Sequence, residues 1–190
     1  MHRRFLALAC AGLLVAGVAA AQQPGTASGS GTIDRERDDQ ARPGQTVTQK
    51  LPFTARAAWA HKKIVGGKSY TTIVLADREP PLRTWRLAAN LDEALQQWCE
   101  REKGSFVSVV LTPEAEVDLT YLCPGDGGVN VEMTSVANGL PSSAVTITQR
   151  DARHVAGRLR MGRGSCPGAD GAATYCEPTG DFTFDAPIDP

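Results

Sequence analysis

Histidine is scarce in this 190-residue chain, which holds only His2, His61 and His154, and no C-x-x-C pair accompanies its five cysteines. A structural zinc, which needs four clustered Cys or His ligands, therefore has no visible ligand set. A G-x-S-x-G elbow is also missing. The nearest string, Gly162-Arg163-Gly164-Ser165-Cys166, lacks the strand-to-helix context that makes such a serine a nucleophile. The glycine-rich strings GSGSGT, VGG and PGDGG lack the strand, lysine and helix of a phosphate loop, so they read as turns or spacer. There is no excess of positive charge: the formal net charge is −1. Without Arg3 and Arg4, 18 basic residues face 21 acidic ones, a net of about −3, which argues against a nucleic-acid partner. Beyond the N-terminus no apolar run approaches the roughly 20 residues of a membrane-spanning helix. No internal repeat is visible, and nothing in the sequence calls for a cofactor.

What is present begins with an export signal. His2, Arg3 and Arg4 precede an apolar run from Phe5 to Ala19, and Ala19-Ala20-Ala21 offers small residues for cleavage, so residues 1–21 read as a signal peptide. The protein is then expected to be periplasmic or secreted, with no transmembrane segment in the mature chain. Cys10 lies too early and has Ala7 rather than leucine three residues before it, which disfavours lipidation. Four cysteines remain, Cys99, Cys123, Cys166 and Cys176, an even number in an oxidising compartment, so two disulfides are expected. Three connectivities are open. The preferred one joins Cys166 to Cys176 across a short loop and Cys99 to Cys123 as a staple from helix to sheet.

Residues 22–50 are mostly Gly, Ser, Pro and charge, and read as a disordered tether. Residues 51–190 read as one disulfide-stapled domain. In it, Leu51, Phe53, Ala55, Ala57 and Trp59 alternate along a first strand, and TTIVLAD (Thr71 to Asp77) is apolar enough at its centre to be covered on both faces. Arg78 to Ala89, with Pro80-Pro81, reads as a connection. Asn90 to Gly104 is the clearest helix. Asn90 and Glu93 are placed for a capping box, Leu91, Ala94, Leu95, Trp98 and Cys99 form one apolar stripe, and Gly104 stands where a left-handed residue would end it.

Strands follow at Phe106 to Leu111 and at Val117 to Cys123, whose alternation puts Cys123 on the core side. Others follow the turns at Pro124 to Gly128 and at Asn138-Gly139. Val155, Leu159 and Met161 alternate with His154, Arg158 and Arg160, and FTFDAPI closes the chain, stopped by Pro187. The fold expected is mainly β (α+β): an antiparallel β-sandwich or strongly curved sheet with one packed α-helix.

The order TTIVLAD, connection, helix ending at Gly104, FVSVVL, HVAGRLRM and FTFDAPI resembles a loose group of uncharacterised exported bacterial β-rich proteins. Those share a "VVVLSD", helix, "FVSL", "GRL", "FDAP" layout with a C-terminal FDAP-type strand. The likeness covers about Leu51 to Ile188 and implies a β-rich exported domain, but brings no catalytic residue with it.

Three sets of residues could carry chemistry. His154, Arg158 and Arg160 share one strand face, with Arg150, Arg153 and Arg163 nearby, and such a donor-rich surface suits carboxylate, phosphate or sulfate groups. His61 and His154 are the conventional bases, although His61 follows Trp59 on an apolar face. Glu114, Glu116 and Asp118 form one acidic cluster and Asp181 and Asp185 another, each explicable as a solvated turn. No nucleophile stands beside a base in sequence. The function expected is therefore that of a non-catalytic exported binding domain acting on an envelope or secreted protein or another cell-envelope component. An envelope hydrolase using His61 or His154, and an inhibitor or immunity protein for a secreted enzyme, are the alternatives.

Overall fold

The computed structural model describes residues 23–38, 41–123, 131–134, 136–137, 140–141, 143–161, 164–167 and 173–189. The leader at 1–21 and the turns expected at Pro124 to Gly128 and Asn138-Gly139 lie outside the described residues, as does Arg163. In chain order the strands are β1 (Gly25–Asp38), β2 (Thr46–Thr54), β3 (Ala57–Val65), β4 (Lys68–Ala76), β5 (Phe106–Leu111), β6 (Val117–Cys123) and β7 (Val131–Thr134). They continue as β8 (Val136–Ala137), β9 (Leu140–Pro141), β10 (Ser143–Arg150), β11 (His154–Met161), β12 (Gly164–Pro167) and β13 (Ala173–Asp189). Two helices, α1 (Leu82–Leu87) and α2 (Leu91–Glu102), lie between β4 and β5. The fold is mainly β, a strongly curled sheet in the order β10-β11-β13-β12-β7-β6-β5-β4-β3-β1-β2, with β8 and β9 forming a separate pair. The curl lets β13 pair with β1 and β3 as well as with β11 and β12; all these pairings are antiparallel except β13 with β3.

The segment read as a tether corrects the sequence expectation, because β1 pairs along β13 from Thr26 opposite Asp185 to Arg35 opposite Cys176, and with β2 on its other side. Glycine-rich composition suggested coil, but here the small residues make room for an aromatic ring. A Cβ on Gly31 would stand 3.1 Å from Phe182 Cζ, and one on Gly180 would stand 2.5 Å from Phe182 Cε2. Gly29, at φ +127°, adopts a backbone that side-chain-bearing residues rarely enter. Hydroxyls then pair directly across the strands, Ser28 with Thr183 at 2.7 Å and Thr32 with Thr179 at 3.2 Å. Backbone pairing and a borrowed ring replace the apolar side chains that the segment lacks.

The first alternating run is also two strands rather than one. The chain keeps its direction through Ala55-Arg56, since β2 and β3 both pair antiparallel with β1, but the register slips by one residue there, with Ala55 N–H donating to Gly29 carbonyl and Arg56 N–H to Ala76 carbonyl. Leu51, Phe53 and Ala55 therefore enter the core inside the curl, whereas Ala57 and Trp59 enter a second core beneath the helices. As expected of TTIVLAD, β4 is covered on both faces: Ile73 and Leu75 join the inner core, Val74 and Ala76 the outer one. Phe182 and Phe184 of β13 face inward, and the Phe53 and Phe182 rings lie 5.3 Å apart.

Pro187 does not stop the last strand. The next residue, Ile188, donates its N–H to Arg153 carbonyl at 2.7 Å, and Ile188 and Asp189 run parallel to Ala60 and His61 of β3. Proline removes one ladder donor near the strand's end, and the Ile188 N–H resumes the pairing one residue on.

The outer core holds all three tryptophans. Trp59, Trp85 and Trp98 follow one another at ring separations of 5.6 and 5.3 Å, with Phe106 6.4 Å beyond Trp98. Trp85 belongs to α1, a short helix where a plain connection was expected; its buried Leu82 and Trp85 dock on the sheet, and that burial holds six residues helical.

In α2 the cap is Asn90, whose side chain accepts from Asp92 N–H at 3.1 Å, while Glu93 accepts from the Gln97 amide one turn on. The left-handed residue at its end is Lys103 (φ 57°, ψ 32°), not Gly104. Gly104 is needed for a different reason: a Cβ there would lie 2.3 to 2.5 Å from the Trp98 indole. Cys99 and Cys123 form the expected disulfide, with Cα atoms 6.3 Å apart, tying α2 to β6 within the outer core. The β12–β13 pairing sets Cys166 opposite Thr174 and Gly164 opposite Cys176 in backbone register; the side chains of the expected second bridge lie outside the described residues.

Candidate functional site

Where α1 and α2 cover β3, β4 and β5 they leave one row of the sheet bare. Side chains alternate across a strand, so Trp59, His61, Lys63 and Val65 share the helix-facing side of β3. Their partners in register, Thr72 opposite His61 and Tyr70 opposite Lys63, share that side on β4, and Val110 of β5 lies opposite Thr72. Trp59 and its neighbours are roofed by the helices. The row His61, Thr72, Val110 instead floors a cleft of about 450 Å³, walled by Tyr70 and Lys63 and roofed by Leu91 and the α1–α2 link.

A buried polar clamp closes one end of the cleft. Asp189 accepts a 2.7 Å hydrogen bond from Trp59 Nε1 on the same carboxylate oxygen, Oδ2, that takes Arg86 Nε, and Arg86 Nη2 approaches the other oxygen at 3.3 Å. Asp189 is 7% exposed. Burying a carboxylate is costly unless it is paired and hydrogen-bonded, and both conditions are met here. The clamp joins the last residues of β13 to β3 and to α1.

His61 stacks on Trp59, ring centroids 5.7 Å apart and planes 18° from parallel. Burial pushes its pKa below the ordinary histidine value, and Lys63 pushes the same way, while Asp189 opposes both. The imidazole is thus neutral at neutral pH, offering one donor and one acceptor to the cleft. Around it are two hydroxyls, Tyr70 and Thr72, an ammonium, Lys63, the Arg86 guanidinium, a carboxylate, Asp92, and apolar floor and roof from Val110, Leu91 and Trp85. That is a mixed lining, polar and apolar in similar measure, with groups able to orient a small or extended ligand.

The face expected to bind an anion is built differently. Burial in β11 alternates as the sequence indicates, with Val155, Leu159 and Met161 buried and Arg158 and Arg160 exposed. But β13 runs beside it, and the two acids read from sequence as a separate cluster fall in reach. Arg158 grips Asp181 with Nε and Nη2, the Nε contact at 2.6 Å, and His154 Nε2 pairs with Asp185 Oδ1. The hydrogen bond from Arg158 holds Asp181 below the usual carboxylate range, and the acid in turn raises the arginine. Two of the three expected anion-binding groups thus already have anions of their own.

His61 lines the cleft; His154, Arg158 and Arg160 do not. Asp189, Arg86, Tyr70 and Thr72 escaped the sequence reading. A period-two step, Trp59, His61, Lys63, was the signal that placed His61, but nothing local marks Asp189 as its neighbour. A second depression of about 470 Å³ between α1 and α2 is lined by helix surface, including Asn90, Glu93 and Gln97, whose side chains already serve the helix. Among the described residues no group of three or more His, Cys, Asp or Glu side chains could hold a metal ion, and no helix is long and apolar enough to cross a membrane. Comparison with protein-family models, curated proteins and solved structures finds no match.

Proposed function

We propose that this chain is a non-catalytic, exported binding domain for a cell-envelope or secreted component, and that the His61 cleft is its ligand seat. The observation that carries the reading is the state of Asp189. In a nucleophile–base relay the imidazole is held by an acid that accepts its second ring N–H. Among the described residues the one buried carboxylate near His61 is instead occupied by Trp59 and Arg86, while the stacked, neutral ring faces the cleft. The other lining groups suit recognition: apolar patches from Val110, Leu91 and Trp85, two hydroxyls, the Lys63 ammonium, the Arg86 guanidinium already engaged with Asp189, and the Asp92 carboxylate at the start of α2. Export rests on the N-terminal signal pattern and on the Cys99–Cys123 bridge, which suits an oxidising compartment.

The test is a titration with small aromatic carboxylates, with indole-3-acetate as the first probe, followed by amide chemical shifts. Movement confined to Thr72, Leu91 and Val110, and reduced at least about tenfold in affinity by Tyr70→Ala, supports the reading. Turnover of ester, phosphate-ester or glycan substrates that disappears in His61→Ala would replace it with the hydrolase.

A further inference from the structure

Beyond the cleft, β3 and β4 run on as a hairpin whose tip is apolar and bare. Gly66 (φ +57°) and Gly67 (φ +78°) make its two-residue turn. Ahead of them, Ile64 is 75% exposed and Val65 51% exposed, two of the three large exposed apolar side chains among the described residues. Between His61 and Tyr70 the sequence HKKIVGGKSY carries three lysines and no acid. Lys68 is paired in register with Val65, and Lys63 with Tyr70. Lys63 lies two residues behind Val65 on the same face, about 7 Å at strand spacing. Lys62 lies likewise behind Ile64, donating to Ala152 carbonyl at 3.1 Å.

We propose that this hairpin tip docks the protein on an anionic phospholipid bilayer. Two features choose that occupant. Ile64 and Val65 are consecutive on a strand and so project from opposite faces of a two-stranded ribbon. A rigid protein surface meets one face of such a ribbon, whereas a fluid interface closes around both. The lysine collar then supplies the sign of the charge. Lys63 and Lys68 have flexible stems that can run along the acyl boundary while their ammonium groups reach lipid phosphates. The tip is a shallow anchor, of a depth suited to the interface rather than to spanning. It would hold the mouth of the cleft close to the membrane, since Lys63, Val65 and Tyr70 belong to both. The docking argument does not require the cleft to be a ligand site.

Sedimentation with vesicles of pure phosphatidylglycerol and of pure phosphatidylcholine tests it. The full chain without its leader should bind the first and not the second, and lose that binding as salt is raised. Lys63→Gln with Lys68→Gln should weaken binding roughly twenty-five-fold, about fivefold per lysine. Ile64→Ser, a substitution outside the cleft, should weaken it about tenfold or more at unchanged melting temperature, since burial of a large aliphatic side chain is lost. An Ile64→Trp reporter should be quenched by brominated phosphatidylglycerol. Failure of the wild type to bind phosphatidylglycerol, equal binding to both lipids, or Ile64→Ser binding as well as wild type would each overturn the proposal. None of those results bears on ligand titration in the cleft, which is read without lipid.

Discussion

Trp59 and Asp189 are separated by 130 residues in sequence, yet the indole Nε1 of one donates to the carboxylate of the other at 2.7 Å. The bond fixes the end of β13 against β3 and orients the carboxylate for Arg86 on α1. Replacing Asp189 by Asn leaves the guanidinium of Arg86 part-buried without its counter-charge. The expected loss is about 2 kcal/mol, below that of a fully buried pair because Arg86 keeps 25% of its side chain exposed. Trp59→Phe, which removes the donor and part of a ring that is 1% exposed, should cost about 2 to 4 kcal/mol. Urea denaturation of both variants and of their combination measures it; strict additivity would show that the two residues do not act as one unit.

Gly104 and Lys103 make opposite predictions one residue apart. A methyl at Gly104 meets the Trp98 ring at 2.3 to 2.5 Å, so Gly104→Ala should destabilise by about 1 to 3 kcal/mol. Lys103→Gly relieves a left-handed lysine and should be neutral or stabilising by up to about 1 kcal/mol. Thermal melts of the pair decide it, and an innocuous Gly104→Ala would place the indole elsewhere.

The β1 strand should protect its amides. Hydrogen exchange is expected to be slow for the β1 N–H groups that bond to β13 or β2, where a disordered tether would exchange at once. Gly180→Ala, which would press a methyl to 2.5 Å from Phe182, should speed that exchange and lower stability by about 1 to 3 kcal/mol.

Reduction of the Cys99–Cys123 bridge should cost roughly 3 kcal/mol, given its sequence separation of 24 residues. Non-reducing peptide mapping should recover Cys99 joined to Cys123. The same digest reads whether Cys166 and Cys176 are joined, and free thiols at both would dismiss the second bridge.

His61 predicts a pH dependence. Its folded pKa lies below the unfolded value, so the unfolded chain binds more protons in the window between them. Its contribution to stability is complete above the unfolded value, near 6.5, and is lost as pH falls through the folded one. Asp181, whose carboxyl is lowered chiefly by its hydrogen bond from Arg158, adds a loss in the same direction at more acidic pH. Melting temperature should therefore drop less steeply between pH 7 and about pH 5 in His61→Asn than in wild type; parallel curves would mean that burial does not disfavour the charged ring.

Much of the fold could be read locally. The α2 stripe, the two-faced cover of TTIVLAD and the alternation of β11 each follow from one periodicity, and burial confirms all three. The misreadings share a cause. β1 looked like coil because its glycines are useful only beside Phe182, which comes some 150 residues later. Pro80-Pro81 concealed α1 because the helix is held by Trp85 docking between Trp59 and Trp98, not by its own propensity.

By itself the sequence determined which residues could be inside: period-two and helical apolar spacing are properties of the local chain, and they partition side chains before any partner is chosen. It favoured the Cys99–Cys123 pairing among three, because each cysteine sits on an apolar face, and the folded chain brings those two together. The tertiary structure alone decided who meets whom across the curl. Setting β13 beside β11 gave Asp181 to Arg158 and Asp185 to His154, which turned an apparent anion site into a paired surface. Bringing the end of β13 to β3 delivered Asp189 to Trp59 and Arg86 and left His61 facing an open cleft. Charge pairing depends on strand register between distant segments, and register is set by how the whole sheet curls.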